Sequence, residues 1–429
     1  MDFLNIILII YLALSLFTLL LCIPKFKSWF YAFKTQKRLK NNKNCKIALV
    51  IPAKEESECI GVLLDSINKQ TYDKSYFDTY LVVGRDDDPT IEIAKDKLKD
   101  CACIVEPNQK CKADALKTLF DHIISTKGYV YDSYIILDAD CYLDEHFVEE
   151  MNNALSTGAD VVIGKKLIKN WQSKNKKNRT LFSNLSALTY SAVDSMGNKY
   201  KSDHGEALAM CGQGMMLSNR FVQHFGGFPF HSICEDVEIG IHAILNDFKE
   251  LYYEHAILYS EEPTGHKDYN KRRYRWLKGY FSCDKQYRKQ IVEHTFKKGK
   301  VKKQNIRYLY ELVPIYLYII TTCIASLTFL TSGIVLAILK SALLTKAFLY
   351  ALLMIGLIYI ILALFNWATI NADYKTNKMT LGEKLAVIFI GPAITFEYVI
   401  IFFRVINKNY KVNWDHIQRI KNEWKKLKF

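Results

Sequence analysis

The chain has 429 residues, half of them hydrophobic, and a formal net charge of +14 at pH 7. This length is enough for one large globular domain together with membrane segments. Much of the positive charge flanks apolar stretches, where Lys and Arg usually mark the cytoplasmic side and meet anionic lipid, so we expect no nucleic-acid partner. The eleven cysteines contain no C-x-x-C pair, which disfavours a structural zinc site and indicates reduced thiols that serve in packing.

The first predicted element is a membrane anchor. Residues 3–23 carry no charge and have about the length needed to cross a bilayer. Asp2 before this run and Lys25 after it reverse the charge order of a signal peptide. We therefore predict an uncleaved transmembrane anchor over residues 1–24 with its N-terminus outside. Residues 25–45 combine aromatic and basic residues and are predicted to lie along the membrane surface.

Residues 46–304 have the pattern of a soluble α/β domain. Short apolar runs predict strands at 47–53, 79–84, 102–106, 134–140 and 160–164, and helical periods lie between them at 57–69, 90–99 and 111–126. Strands that alternate with helices imply a mostly parallel, doubly wound sheet. Such sheets bind ligands at the carboxyl ends of their strands, where the acidic clusters 86–88 and 138–140 fall.

A basic segment follows the last of these strands. Residues 165–179 hold seven Lys or Arg and no acid. We predict a solvated loop here, and the alternative is a contact with lipid or with an anionic acceptor.

The chain becomes apolar again in a predicted membrane region over residues 305–406. Residues 312–339 and 347–372 carry no charge, and each run is long enough to span a bilayer. A third stretch, 385–403, is interrupted by a Gly-Pro pair and a glutamate, so it can span, re-enter or lie in the interface. With the N-terminus outside and a basic cytoplasmic tail over 407–429, the number of crossings is predicted to be odd, and three is the simplest count.

Two carboxylates follow the apolar run YIIL. Asp138 and Asp140, two residues apart, can reach one cation directly or through water. Mg²⁺ and Mn²⁺ prefer such oxygen ligands and bind diphosphates through them. A surface turn often produces the same spacing, so the preceding buried strand is what favours a metal site.

Two further clusters can be interpreted in two ways each. Glu235 and Asp236 stand at a predicted helix start, where acids are favourable electrostatically, but Asp236 could equally act as a general base. The segment Arg272–Trp276 could form a membrane-surface helix, or its arginines could bind phosphate while Trp276 stacks on a sugar. Glycines at 212 and 214 would let the backbone approach a ligand closely.

In this order, the clusters resemble those of the membrane-bound family 2 glycosyltransferases, which include synthases of cellulose, chitin, hyaluronan and poly-N-acetylglucosamine and the ceramide glucosyltransferases. The resemblance covers roughly residues 45–300. The matching segments are IPAKEES (51–57), KADAL (112–116), DAD (138–140), GQGMMLSNRFVQHFGGFP (212–229) with the following Glu235-Asp236, Glu262-Pro263, and RRYRW (272–276). The resemblance implies an α/β domain of the A-type glycosyltransferase fold, with a Rossmann-like mixed sheet and flanking transmembrane helices.

The resemblance also implies roles for individual residues. Asp236, with Glu235 beside it, is the expected catalytic base, and Asp140 with Asp138 is expected to hold Mg²⁺ or Mn²⁺. The expected donor- and acceptor-binding residues are Pro52, Ala53, Glu55, Glu56, Asp86, Asp87, Lys112, Asp138, Gly212, Gln213, Gly214, Arg272, Arg275 and Trp276.

The implied activity is that of a membrane-embedded inverting enzyme. It would transfer a hexose or an N-acetylhexosamine from a UDP-sugar to a polysaccharide or lipid acceptor, with a β-linkage in the product. The implied location is the cell membrane, as a multi-pass protein with a cytoplasmic catalytic domain. A membrane scaffold with a degenerate transferase domain is the non-enzyme alternative.

Three positions depart from the family pattern. Glu55 stands where the family usually has Asn, and the acids after the second strand are spread over Asp86–Asp88. Arg272 replaces a glutamine common in processive synthases, and Arg occurs there in family members that glycosylate lipid. Addition of a single sugar to a lipid is therefore the alternative to polymer synthesis.

Overall fold

The structure is a computed structural model that describes residues 27–297, 302–340 and 342–407, together with isolated positions between 5 and 20 and residue 420. Most of the predicted anchor over 1–24 and nearly all of the tail over 407–429 lie outside the described residues. Residues 27–31 are helical, and an extended segment leads from them to the first strand.

The described residues form one sheet of eight strands. The strands are β1 (Ile47–Pro52), β2 (Phe77–Val83), β3 (Ala102–Val105), β4 (Ser133–Ile136), β5 (Cys141–Leu143), β6 (Val161–Ile168), β7 (Met215–Ser218) and β8 (Glu250–Ser260). Their order across the sheet is β3-β2-β1-β4-β7-β6-β8-β5. Strands β3, β2, β1 and β4 are parallel to one another, and β6 is parallel to β8, whereas β7 is antiparallel to both β4 and β6, and β5 is antiparallel to β8. The sheet is therefore mixed.

Helices cover both faces of this sheet. Between residues 46 and 304 they are α1 (Ile60–Asn68), α2 (Pro89–Lys97), α3 (Lys112–Lys127), α4 (Phe147–Leu155), α5 (Leu181–Tyr190), α6 (Lys199–Asp203), α7 (Asn219–Phe225), α8 (Glu235–Leu245) and α9 (His266–Thr295), with a π-helical stretch at Ser191–Asn198. They are followed by α10 (Lys303–Leu339), α11 (Ala342–Ala372), α12 (Leu381–Phe389) and α13 (Gly391–Ile406).

Strand β1 shows why the sheet needs two layers of helices. All six of its residues are buried, and side chains of successive residues point to opposite faces of a sheet. Ile47, Leu49 and Ile51 accordingly pack in one core cluster with α1 and α4. Ala48 and Val50 pack in the other, with α3, α7 and α8.

The predicted elements of the α/β domain are confirmed, with one correction. All five predicted strands and all three predicted helices are present within a few residues of their expected bounds. The sheet is less parallel than the alternating pattern indicated, because β5, β7 and β8 were not recognised as strands. These three take part in every antiparallel pairing.

Among the described helices, Ala342–Asn371 in α11 is the one long and apolar enough to cross a membrane by itself. Helices α12 and α13 pass the same test only when they are taken as one span bent by 43°. The predicted span over 312–339 falls within α10, whose apolar stretch Cys323–Leu339 is shorter. By length and composition, the described residues thus contain one helix that could cross a membrane, or two with the bent pair, and the count of three crossings stays a prediction.

Candidate functional site

The site lies at the carboxyl end of β4, beside the start of α3 and α8. Asp138 and Asp140 stand between β4 and β5. The Asp138 side chain is 28% exposed, whereas Asp140 is buried. The Gln213 amide donates a hydrogen bond to Asp140 Oδ1 at 3.3 Å. The strand end thus presents one carboxylate that solvent can reach and one that the protein fixes in place.

Lys112 joins carboxylates from two distant parts of the chain. It is the first residue of α3, and its Nζ lies 2.7 Å from Asp138 Oδ1 and 2.8 Å from Glu235 Oε1. Lys112, Asp138 and Glu235 are called the Lys112 cluster below. They bring together three motifs that the sequence keeps far apart.

Charge interactions within the Lys112 cluster change how its members bind protons. Burial alone would lower the pKa of Lys112, but the two carboxylates outweigh it and raise that pKa. Burial would raise the pKa of Asp138, but the Lys112 charge outweighs it and holds the pKa at about 2. Burial and the neighbouring Asp236 raise the pKa of Glu235, although Lys112 opposes them.

The loop before β7 runs directly beside these groups. The Gly212 N–H donates to Asp236 Oδ2 at 2.8 Å, and the Val237 N–H donates to Asp236 Oδ1 at 2.9 Å. A Cβ at residue 212 would lie 3.0 Å from both Glu235 Oε1 and Lys112 Nζ. The absence of a side chain at Gly212 therefore allows the loop to hold the Asp236 carboxylate. Gly214 has a φ of +67°, which glycine adopts readily.

Arg272 is placed differently from its predicted role as a substrate contact. Its Nη1 lies 2.6 Å from Glu262 Oε2, and the two side chains are 9% and 0% exposed. Tyr190 donates to the other Glu262 oxygen at 2.8 Å, and the Arg272 guanidinium lies 5.6 Å from the ring centroid of Trp276. The Arg272 pair (Arg272 with Glu262) is thus a buried ion pair that holds α9 against the domain. Contact with a diphosphate would require this pair to break.

Arg275 lies one turn further along α9 and is half-buried. Within the part of the chain that the structure describes, no carboxylate forms an ion pair with it. Arg273 is buried and its guanidinium lies 3.9 and 4.5 Å from the ring centroids of Tyr269 and Tyr398. Arg275 is therefore the arginine of this motif whose charge a ligand can reach.

Helices α8 and α9 are in direct contact where Gly279 meets Cys234. A Cβ at residue 279 would overlap Cys234 Sγ, and Cys234 immediately precedes α8. Glycine at this position therefore lets the helix that carries Arg275 approach the helix start that carries Asp236.

The predicted residues after β1 lie in two environments. Pro52 and Ala53 are buried, and the Gln109 amide donates to the Ala53 carbonyl at 3.3 Å. Glu55 is exposed and has a φ of +57°, while Glu56 is half-buried and accepts from Cys59 Sγ. A ligand at this strand end would meet backbone atoms of the first pair and carboxylates of the second.

The acidic cluster after β2 divides into exposed and buried members. Asp86 and Asp87 are exposed. Asp88 is buried and accepts from the Thr90 N–H at 2.9 Å, which caps α2, and from the Glu55 N–H at 3.2 Å. Sequence analysis missed this structural role, although an Asp directly before a Pro at a helix start signals it.

The prediction of a solvated loop over 165–179 is wrong for its first part. Lys165 and Lys166 lie in β6 and are buried with Lys169. Lys165 Nζ lies 2.9 Å from Asp373 Oδ1, and Lys169 Nζ lies 3.4 Å from the Asp140 carbonyl. Lys166 contacts Cys211. These lysines are positioned by partners that are distant in sequence, and Lys166 adds positive charge near Asp138.

The donor set at this site fits a divalent cation that is bound together with a diphosphate. Among the described residues there is no cluster of three or more His, Cys, Asp or Glu side chains that could hold a metal alone. Asp140 and Asp138 supply carboxylate oxygens, and the buried Gln213 Oε1 beside them has no hydrogen-bond partner there. Mg²⁺ is usually held by one or two carboxylates together with substrate phosphates, so these residues suit such an ion.

A mixed sheet with helices on both faces and carboxylates at the end of β4 is the arrangement of the A-type glycosyltransferases, and the chain is an enzyme of that class. It belongs to the glycosyltransferase-like family 2, whose family model matches residues 44–279. No curated protein matches the chain significantly.

Solved structures are similar to the chain over most of its length. A mannosyltransferase from Pyrobaculum calidifontis, PcManGT, in complex with GDP-Man and Mn²⁺, is 13% identical with a TM-score of 0.56, and the match covers 94% of this chain and 99% of that one. S. aureus TarS residues 1–349 in complex with UDP-GlcNAc are 14% identical with a TM-score of 0.39, covering 83% and 91% of the two chains. The first likeness confirms the fold.

Proposed function

We propose that this glycosyltransferase transfers a hexose or an N-acetylhexosamine from a UDP-sugar to a hydroxyl of a lipid or polysaccharide acceptor, with inversion at the anomeric carbon. The observation that carries the proposal is the meeting of three motifs at the Lys112 cluster, with the Asp236 carboxylate bound to the adjacent Gly212 N–H at 2.8 Å. The candidate base Asp236 and the candidate diphosphate-binding residues Lys112 and Asp138 thus lie beside the same loop, the one before β7.

In this proposal the donor lies across the carboxyl ends of β1, β2 and β4. The nucleotide would meet the backbone of Pro52 and Ala53 and the carboxylates of Glu55 and Glu56, with Asp86 and Asp87 at the exposed edge. Lys112 and Asp138, with Gly212, Gln213 and Gly214, would surround the diphosphate and the sugar. The partial exposure of Asp138 supports this placement, because a ligand can reach it without unfolding the site.

Asp140 and Asp138 would hold the Mg²⁺ or Mn²⁺, which when bound neutralises charge on the leaving diphosphate. The Mn²⁺ in the complex of the similar archaeal mannosyltransferase is consistent with this assignment. Gln213 fixes Asp140 by its hydrogen bond and so orients the carboxylate before any ligand arrives.

Asp236 is the proposed general base. It would accept the proton of the acceptor hydroxyl while the hydroxyl oxygen forms a bond to the anomeric carbon. The bond from that carbon to the diphosphate oxygen breaks, and its electron pair leaves with the UDP. A single displacement of this kind converts an α-linked donor into a β-linked product. Glu235 serves mainly to hold Lys112 in position.

Arg275 is proposed to stabilise the departing diphosphate, because its guanidinium is half-buried and forms no ion pair within the described residues. Trp276, on the next position of α9, would shape the acceptor site. Arg272 is reassigned from a ligand contact to a positioning residue.

We further propose that the catalytic domain over 46–304 faces the cytoplasm, with membrane segments at 1–24 and within 305–406. The helix at the start of segment 25–45 and the basic tail 407–429 would lie against the cytoplasmic leaflet. The rest of that segment follows the catalytic domain, where Gln36, Leu39 and Asn41 form hydrogen bonds. The apolar helix α11 supports membrane attachment.

A donor screen on purified membranes with Mg²⁺ or Mn²⁺ tests this function, and D236N is the central variant. We expect sugar transfer from a UDP-sugar to fall by roughly 10²–10⁴-fold in D236N, the range of general base catalysis, while binding of UDP is unchanged. A folded D236N protein that transfers sugar at the wild-type rate would remove Asp236 as the base. Sizing of the product separates polymer synthesis from a single addition to lipid.

A further inference from the structure

Helix α12 carries an apolar stripe that faces away from the protein. Leu381, Leu385 and Phe389 are 74%, 45% and 60% exposed, and residues at i, i+4 and i+8 share one helix face. Val387, on the opposite face, is fully buried. The helix therefore packs against the domain on one side and leaves a row of large apolar side chains on the other.

Two loops that carry exposed lysines meet next to this helix. Lys375 and Lys378 lie between α11 and α12, and Lys174, Lys176 and Lys177 lie in the loop before α5; all five are exposed. Arg179 joins the two loops, since it pairs with Glu383 through bonds of 2.9 and 2.7 Å and donates to the Lys378 carbonyl at 2.8 Å. The stripe and the five lysines together are called the α12 surface.

The α12 surface begins where the candidate membrane helix ends. Helix α11 has an exposed Trp367 near its C-terminal end, and Tyr374 follows the helix with 61% exposure. Aromatic residues of this kind concentrate at the level of lipid headgroups. Lys375, Lys378 and α12 come next in the chain, so the order from apolar helix to aromatic residues to lysines matches the profile of a bilayer from its core to its surface.

We infer that the α12 surface binds anionic lipid headgroups. Leu381, Leu385 and Phe389 enter the boundary between headgroups and acyl chains, and the five lysines contact lipid phosphates. Helix α12 then lies in the interface and is not the first half of a span. Charge complementarity selects this occupant, because lysines beside an exposed apolar helix face favour an anionic bilayer over a neutral one. The inference rests on the proposed membrane location and not on the proposed chemistry.

Contacts connect this surface to the catalytic site. Asp373, at the end of the membrane helix, accepts from Lys165 at 2.9 Å and from Ser191 at 2.8 Å. Lys165 lies in β6 next to Lys166, which contacts the loop before β7 through Cys211. Binding of the α12 surface to lipid therefore fixes the catalytic domain at a set height and orientation above the leaflet that would hold a lipid acceptor.

Hydrogen–deuterium exchange of the full chain in nanodiscs tests the inference. Discs of phosphatidylcholine are compared with discs that contain one quarter phosphatidylglycerol. We expect slower amide exchange in peptides covering 174–179 and 374–390 in the anionic discs, and 0.5 M NaCl should reduce the difference. The variant K174Q/K176Q/K177Q/K375Q/K378Q should lose the difference, since each lysine contributes roughly fivefold to anionic binding.

A matched variant controls for loss of charge as such. K69Q/K95Q/K99Q/K117Q/K127Q removes five exposed lysines from other surfaces of the domain and should exchange like the wild type in both discs. L381S/L385S/F389S should lose the slow exchange of α12 in both discs. D236N, expected to be inactive, should show the wild-type pattern, so a failure of the proposed chemistry remains distinguishable.

Three results would overturn the inference. Equal exchange of these peptides in neutral and anionic discs would exclude recognition of lipid charge. An equal effect of the two lysine variants would show that the position of the lysines does not matter. Slower exchange with soluble polyphosphate, but not with anionic lipid, would make the partner an anionic polymer.

Discussion

The Lys112 cluster and the Arg272 pair both bury a cation against carboxylate, but only one of them is open to a ligand. In the cluster, Lys112 is shared by two carboxylates, and Asp138 is 28% exposed. In the pair, Arg272 and Glu262 are 9% and 0% exposed. From the sequence, Lys112 and Arg272 were both predicted to bind substrate, because each is a basic residue of a family motif. The comparison indicates that Lys112 can leave its carboxylates and bind a diphosphate, whereas Arg272 stays in its ion pair with Glu262.

Removal of Arg272 alone has the largest expected effect on stability. R272M leaves Glu262 as an uncompensated charge in the interior, which costs about 3–5 kcal/mol. Replacing both partners, in R272M/E262M, should restore most of the melting temperature, because no unpaired charge is left. Thermal unfolding of the detergent-solubilised proteins measures both, with R275M as the control on the same helix. A stable R272M protein that needs more donor for half-maximal rate would instead make Arg272 a substrate contact.

Removal of Lys112 should affect catalysis as well as folding. K112M takes a positive charge from the proposed diphosphate site and leaves two carboxylates without their shared partner. We expect kcat/KM to fall about 100-fold, equivalent to roughly 2.7 kcal/mol, together with a higher KM for the donor. K110M changes an exposed lysine two residues away and should keep the wild-type kinetics. Equal kinetics for K112M and the wild type would show that the cluster has only a structural role.

Acid should weaken the Lys112 cluster over a defined range of pH. The pKa of Asp138 is about 2 in the folded protein, because Lys112 outweighs the effect of burial, and is about 3.9 in an unfolded chain. A carboxyl group with a lowered pKa stabilises the fold fully above its unfolded pKa, and the contribution is lost as the pH falls from about 4 to about 2. The loss should amount to roughly 2–3 kcal/mol. Melting temperatures in this range should fall less steeply for D138N than for the wild type, and the exposed D87N serves as control. Equal slopes for wild type and D138N would contradict the assignment.

The smallest expected effect extends the comparison to the acids after β2. D88A removes the N-cap bond to Thr90 and the bond to the Glu55 N–H, and a lost cap costs about 1 kcal/mol. D86A and D87A change exposed side chains and should leave the melting temperature unchanged. If D87A destabilises the protein as much as D88A, burial does not distinguish the members of this cluster.

The parallel half of the fold could be predicted because its information is local. The strands β1 and β4 are buried on both faces, β2 ends in a buried apolar run, β3 is a partly buried apolar run, and helical periods separate the four strands. In the other half of the sheet, β6 was predicted, but β5, β7 and β8 were not. Strand β7 has four residues and follows a glycine-rich segment, and β8 mixes charged and apolar side chains. Their pairing partners lie far away in the sequence, so no local pattern identifies them as strands.

The site also has residues that the sequence predicted and residues that it did not. The order of the motifs predicted that Asp138, Glu235 and Lys112 would belong to one site, and the structure brings them together. Burial of Lys165 and Lys169 could not be foreseen, because composition alone favours exposure of lysine. Asp373, which compensates Lys165, comes from the end of a helix about 200 residues later. The pairing of Arg272 with Glu262 was not predicted for a similar reason, because a sequence motif identifies a residue but not the side chain that it contacts.

The contact between Gly279 and Cys234 has a consequence for how the enzyme can be altered. The proposed proton acceptor follows Cys234 by two residues, and the proposed diphosphate cation precedes Gly279 by one helical turn. Helix α8 carries the first group and helix α9 carries the second. The distance between the two groups is therefore limited by how closely these helices approach at Gly279 and Cys234, although neither group lies at that contact. A single hydrogen atom, in place of a methyl group at residue 279, sets that spacing.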